Sequence, residues 1–381
     1  MTVPVRCFAK INLGLHIGAA RNDGFHELLT IYQTIALHDV IRVSLSRGRG
    51  IEIRCANPRV PRDESNTCYR IIEKAMAALR AKGRVLVEIE KLLPVQGGMG
   101  GASSNAVAAL LGLERTLKKF LPAEKRLRIA ADVGSDLPLF LVGGTTLGVG
   151  RGEQVYPLQD LPSIPCVVIT PEVGVSTPKA FAEWDRLCGP CTPFDEFRAG
   201  PAREAAYSKS GVGRRTEKPV GLGSTGQSGA AVPTKTRAGD DRRNVSRAEL
   251  TGLRSSDRIE ELGRGLSAWL SDGYTGAPRV SDVRRGRARN PLLALVRTGI
   301  KNDFERVVFP EYPELSEGKK ALGRAGALYA SLSGSGSTLY GLFASQEAAR
   351  TAVEKLRRQG WPAQATVTLP RSQYWRRIFD C

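Results

Sequence analysis

The run Gly97-Gly98-Met99-Gly100-Gly101-Ala102-Ser103-Ser104-Asn105 lies between a strand pattern and a helix pattern. Residues this small let backbone N–H groups close on an anion, and the start of the following helix adds the positive end of its dipole. Ser103, Ser104 and Asn105 have side chains that donate to phosphate, and Ser104 also offers an oxygen to a metal ion. A flexible turn with serine as a helix cap explains the segment equally well. It is neither a Walker loop, which needs G-x-x-x-x-G-K-[ST], nor a G-x-G-x-x-G fingerprint.

Two further segments have chemical content. In Gly134-Ser135-Asp136-Leu137-Pro138 an aspartate precedes an apolar run that does not need it for packing. Held near a lysine, such a carboxylate positions a hydroxyl and accepts its proton; capping a turn is the ordinary alternative. Ser333-Gly334-Ser335-Gly336-Ser337 sits between two strand patterns and, taken alone, reads as a plain Gly/Ser turn.

The elements around these segments follow from hydrophobic period. From Val3 to Ile17 the odd positions are apolar, so a long strand is expected with one buried face and with Lys10 and Asn12 together on the other. A turn at Asn22-Asp23-Gly24 leads to a second run of strand, and Ser65-Asn66 signals the cap of a helix striped by Tyr69, Ile72, Met76 and Leu79. A strand at 85–89 leads into the glycine run. The helix beyond it carries Val107, Leu110, Leu111 and Leu117, a further helix covers about 125–133, and 145–158 reads as a hairpin. Two domains are expected, 1–162 and 163–381, in an α+β chain. The second is interrupted at about 190–288 by a basic insertion rich in Gly, Ser, Arg and Thr and too poor in apolar residues to offset its ordering entropy. One short amphipathic helix is expected inside it, at Leu262, Leu266, Trp269 and Leu270. The end of the chain reads strand–turn–strand, helix, strand.

Composition bounds the class. No apolar stretch of about 18 residues exists and the N-terminus does not read as a signal peptide, so a soluble, cytoplasmic protein with no membrane partner is expected. Seven scattered cysteines argue for reduced thiols, and the single C-x-x-C at Cys188 and Cys191 lacks the other ligands of a zinc site. The net charge of +18 suits an anionic ligand or nucleic acid; the basic residues are spread out and no nucleic-acid-binding motif accompanies them.

Ala9-Lys10-Ile11-Asn12-Leu13, Asp23-Gly24-Phe25-His26-Glu27, PVQGGMGGASSNAV, GSDLPLFLVGG and LSGSGST, in this order, resemble the GHMP kinases over about 1–187 and 290–381. The first two segments are similar to the members that phosphorylate the 2-hydroxyl of 4-diphosphocytidyl-2-C-methyl-D-erythritol, a step of the non-mevalonate route to isopentenyl diphosphate. The resemblance implies a GHMP kinase two-domain fold, with a ribosomal-protein-S5-like N-terminal domain, a ferredoxin-like C-terminal domain and the site between them. It implies ATP as phosphoryl donor, Mg²⁺, a cytidine diphosphate alcohol as substrate, no obligate nucleic acid, and a monomer or homodimer. Carried over by position, Lys10 and Asp136 are the catalytic pair. Pro94, Gln96, Gly97, Gly98, Met99, Gly100, Gly101, Ala102, Ser103 and Ser104 hold the ATP phosphates, with Asn66 and Lys91 at the adenosine end. Asn12, Phe25, His26, Thr177, Phe181, Gly334, Ser335 and Gly336 bind substrate, with the Phe25 and Phe181 rings sandwiching the cytosine and His26 hydrogen-bonding its edge. Thr177 also reads as a helix cap before Pro178. Gln96 and Ala102 stand where the family usually has glycine, and Phe25 where it has tyrosine. The open alternatives are a GHMP kinase of the homoserine or mevalonate type and a basic nucleic-acid-binding protein.

Overall fold

In a computed structural model of the chain, the residues described are 3–95, 97–188 and 301–380. They belong to one compact unit. The insertion, its expected helix, the C-x-x-C pair and Gln96 lie outside the described side chains.

The first sheet is built on two long strands, β1 (Val3–Ala20) and β2 (His26–Ser46), paired antiparallel along their length. On the other side of β2 its halves diverge. Residues 40–46 pair with β4 (Arg84–Glu90), which carries β3 (Gly50–Cys55) in parallel. Residues 30–33 pair with β5 (Thr145–Val149), which forms the expected hairpin with β6 (Gln154–Pro157). The expectation of one wet face for β1 fails in its middle: Phe8, Lys10 and Asn12 are as buried as the apolar positions between them. The ladder slips at Phe8/Ala9 and Asn12/Gly14, where bulges re-aim side chains. The carbonyls of Asn12 and Leu13 at the second slip accept from Tyr340 and Tyr329 at 2.8 and 3.0 Å.

Helix α2 (Gly101–Leu117) packs on β1 and β2, and its residues from Ser104 to Glu114 are all buried. Its small residues, Ala106, Ala108, Ala109 and Gly112, permit that close approach, and a Cβ on Gly112 would stand 2.8 Å from Val43. Truncating Leu110, which is fully buried, removes about 2–5 kcal/mol. Helix α1 (Thr67–Ala78) opens at the expected cap, Asn66, whose side chain accepts from Cys68 N at 2.8 Å. Its buried stripe is Cys68, Ile71, Ile72 and Ala75; Tyr69, Met76 and Leu79 flank it, one position round from the expected stripe. Helices α3 (Ala123–Val133) and α4 (Leu137–Val142) follow.

The second sheet has strand order β10-β7-β9-β8, antiparallel throughout, from β7 (Pro165–Ile169), β8 (Tyr329–Leu332), β9 (Leu339–Leu342) and β10 (Ala363–Val367). With α5 (Thr177–Cys188), α6 (Glu305–Glu311), α7 (Pro313–Arg324) and α8 (Gln346–Arg358) the described elements run β7-α5-α6-α7-β8-β9-α8-β10, the ferredoxin-like β-α-β-β-α-β arrangement with extra helices in its first crossover. Its core also takes Leu15 and Ile17 from the far end of β1. A last helix, α9 (Arg371–Arg377), returns to the first core, where Leu369, Tyr374 and Ile378 are buried. No helix among the described residues is long and apolar enough to cross a membrane.

Candidate active site

The slip at Asn12/Gly14 and the buried face of β1 bring Lys10 and Asn12 inward. Lys10 Nζ donates to Asn12 Oδ1 at 2.7 Å, and Asn12 Nδ2 donates to Thr30 Oγ1, which donates to the Gly14 carbonyl. Lys10 Nζ lies 3.5 Å from Asp136 Oδ2; the lysine side chain is 4 % exposed and the aspartate 33 %. Asp136 occupies the cap position of α4, yet its side chain caps nothing there. Its other oxygen, Oδ1, accepts from the Tyr32 hydroxyl at 3.1 Å. Burial, followed by the Asp136 carboxylate and Glu153, pushes the Tyr32 phenol well above its ordinary range, so it remains a donor.

The glycine run closes on this pair. Lys10 N donates to Met99 O, and Ser104 Oγ donates to Phe8 O at 2.7 Å, fastening the run to β1 at two points. Gly100 has φ +68° immediately before α2, so a left-handed turn opens the helix, whose first N–H groups lack partners within it. From the second sheet the 333–338 turn meets the run: Ser333 Oγ donates to Gly98 O at 3.0 Å and Thr338 N to Gly97 O at 3.2 Å. A Cβ on Gly334 would stand 3.5 Å from both Gly98 O and Lys10 Nζ. Gly97 packs on Pro94 and Thr338. Ala102 is exposed and Ser103 half-buried on the first turn of α2.

Lys91 and Asn66 flank the loop. Lys91 Nζ is 3.0 Å from where a Cβ on Gly101 would stand, and it donates to Asp39 Oδ2. Asp39 Oδ1 also accepts from Leu92 N and Leu93 N at 2.7 Å each. Asn66 spends both ends of its amide on capping α1 and on the Pro61 carbonyl, and Thr67 Oγ1 donates to Ala102 O, tying the starts of α1 and α2.

Thr177, the first residue of α5, shares a 2.7 Å hydrogen bond with Ser335 Oγ. The His26 ring stacks on Phe181 at 4.8 Å and 11°, and Phe181 meets Phe304 edge-on. His26 Nε2 is 2.7 Å from Asp185 Oδ1, one turn further along α5. Phe25 is 49 % exposed, with the Arg151 guanidinium 4.9 Å over its ring. The imidazole, and not the Phe25 ring, therefore lies against Phe181. Gly336 packs on Leu332 and Val175.

Sequence reasoning missed Tyr32, Asp39, Asp185 and Asn302. Asn302 is buried, and its Nδ2 donates to the carbonyls of Leu332 and Gly334 at 2.9 and 2.8 Å, shaping the second turn. The only signal for the buried polar members was a polar residue inside a strand pattern, as at Tyr32 and Asp39. That signal does not name a partner.

A buried ammonium, a half-open carboxylate and a helix N-terminus meet at one junction of two sheets, an arrangement with the charges to hold an anionic group beside a proton acceptor. Residues 66–144 match the model described as GHMP kinases N terminal domain, and residues 286–362 match GHMP kinases C terminal. The class is thus the GHMP kinases, with the expected α+β two-domain architecture.

A 4-diphosphocytidyl-2-C-methyl-D-erythritol kinase of Solibacter usitatus (strain Ellin6076) is 32% identical over 352 residues, 92% of this chain and 84% of its own. One of Synechococcus sp. (strain JA-2-3B'a(2-13)) is also 32% identical, over 92% and 88%. The chain belongs to the 4-diphosphocytidyl-2-C-methyl-D-erythritol kinase family. A crystal structure of 4-(cytidine 5'-diphospho)-2C-methyl-D-erythritol kinase superposes with TM-score 0.60 at 25% identity, over 96% of this chain and 98% of that one. Homoserine kinase from Cytophaga hutchinsonii ATCC 33406 shares the fold at TM-score 0.57 and 18% identity, over 97% and 95%.

Proposed function

We propose that this kinase transfers the γ-phosphoryl group of ATP to the 2-hydroxyl of 4-diphosphocytidyl-2-C-methyl-D-erythritol, giving the 2-phosphate and ADP in the non-mevalonate route to isopentenyl diphosphate. The observation that carries the reading is Lys10 Nζ at 3.5 Å from Asp136 beside the glycine run. The substrate oxygen attacks phosphorus, the bond from the γ-phosphorus to the β–γ bridging oxygen breaks, and the hydroxyl proton passes to Asp136. Lys10, 3.5 Å from the carboxylate, offsets charge on the transferred group. Gly98 to Ser104 and the start of α2 supply N–H donors to the phosphates. Catalysis of this type is chiefly positioning and electrostatics.

On this reading Lys91, with Asn66 near it, lies toward adenosine. Asn12, Thr177 and residues 334–336 line the substrate side, and His26 reads the cytosine edge. Stacking on Phe181 and Phe25 contributes on the order of 1–3 kcal/mol. Since His26 covers one face of Phe181, a base between the two phenyl rings requires the imidazole to turn aside. Mg²⁺, which this class of reaction uses to neutralise phosphate charge, finds no group of three or more His, Cys, Asp or Glu among the described residues. Ser104 Oγ is already engaged with Phe8 O. The donor set does not make a protein cage.

ADP release from ATP in the presence of the cytidyl alcohol, homoserine or mevalonate separates the related readings. The cytidyl alcohol alone is expected to support it; release with homoserine or mevalonate instead contradicts the assignment. A stacking pair and a base-edge histidine serve no purpose for a substrate without a base.

A further inference from the structure

Neither member of the Lys10–Asp136 pair has the other as its tightest partner. The ammonium is drawn to Asn12 Oδ1 at 2.7 Å, and Asp136 Oδ1 takes the Tyr32 hydroxyl at 3.1 Å, while the two charges stand 3.5 Å apart. A free lysine–aspartate pair closes to about 2.7–2.9 Å. From this geometry we infer that Tyr32 is a positioning residue: its hydroxyl fixes the Asp136 rotamer, holds the carboxylate back from Lys10, and leaves an oxygen turned to the open side for the substrate hydroxyl. The inference rests on the assignment of Asp136 as proton acceptor.

The hydroxyl is placed rigidly. Tyr32 is among the most deeply buried side chains. It is seated by the β5–β6 hairpin, where a Cβ on Gly148 would lie 2.4 Å from its ring and one on Gly152 would lie 2.5 Å from its hydroxyl oxygen. Lys10 Nζ stands 5.5 Å from the ring centroid, so the ring also walls the ammonium on one side. Of the three side chains only the carboxylate is appreciably exposed. A Tyr32→Phe change removes one oxygen and leaves the packing intact. The carboxylate then gains freedom to close on Lys10, which withdraws the acceptor without altering either binding site.

The test is steady-state kinetics of Tyr32→Phe, with Gly152→Ala made both in the parent and in the Tyr32→Phe variant. The expected result is a fall in kcat of about tenfold, as for one lost hydrogen bond to a charged group, with KM for ATP and for the alcohol within about twofold of the parent. Gly152→Ala, whose methyl displaces the hydroxyl oxygen, is expected to lower kcat similarly in the parent. Its effect should be smaller in the Tyr32→Phe variant, because the backbone cost of the alanine is common to both backgrounds and cancels in the comparison, leaving the hydroxyl's share. Unchanged kcat in Tyr32→Phe while Asp136→Asn is inactive overturns the role of Tyr32 alone, as does a loss expressed in KM. Near-parental turnover in Asp136→Asn overturns the assignment of Asp136, and the inference with it.

Discussion

The Cβ that Gly98 lacks would stand 2.2 Å from the carbonyl oxygen of Ser333, so the two glycine-bearing turns touch backbone to backbone. Gly98 also has φ +74°, where a side chain is strained regardless of space. The contact brings a loop of the first sheet and a turn of the second together beside Lys10, which a Cβ on Gly334 would approach to 3.5 Å.

Gly98→Ala is therefore expected to separate the turns. The left-handed backbone alone costs about 1–2 kcal/mol, and the clash moves Ser333 or the loop. Thermal melting should show a loss of a few degrees, and KM for ATP should rise by about tenfold or more. An unchanged KM would mean that the loop does not hold the nucleotide.

Asp39 anchors the other side of the loop by accepting from Lys91 and from two consecutive backbone amides. Asp39→Ala leaves a buried ammonium without its partner, and the expected loss is about 3–5 kcal/mol of unfolding free energy, measured by denaturant titration. A loss under about 1 kcal/mol, the range of a surface pair, would contradict the enclosed geometry.

Stability should fall in alkali. Burial pushes the Cys68 thiol up from 9.0 to about 12, and Cys166 is also raised by burial. Above about pH 9 the unfolded chain releases these protons while the folded chain keeps them, so the unfolded state binds fewer protons and stability drops as pH rises. The slope is about 1.4 kcal/mol per pH unit for each thiol, and buried Tyr32, Tyr340 and Tyr374, all raised, add to it from about pH 10. Denaturant titrations from pH 8 to 11 check the sign; a flat profile would place these groups in water.

The architecture was legible where period and small residues decide it. Alternation marked β1, and the glycine run announced the β4–α2 junction. The Ser65-Asn66 signal opened α1 at the right residue. That Lys10 meets Asp136 came from likeness to a family, since no local pattern says which strand face a distant helix will reach. Helix α4 was hidden because its six residues, Leu137 to Val142 with a proline near the start, fit a strand equally well. Helix α9 was hidden because Tyr374 and Trp375 are held by the carbonyls of Phe140 and Val142, partners that exist only after the chain has crossed back. The same holds for Tyr32 and Asp39: a polar side chain in a buried strand has no meaning until its partner is placed.

The central claim is tested most directly by following a new phosphomonoester by phosphorus NMR, with ATP and 4-diphosphocytidyl-2-C-methyl-D-erythritol. The comparison is between the parent protein and the Asp136→Asn and Lys10→Ala variants. The expected result is product from the parent and turnover lowered by at least about 10²-fold in each variant, with melting curves retained. Parent-like product formation by either variant, or none from the parent, would contradict the account.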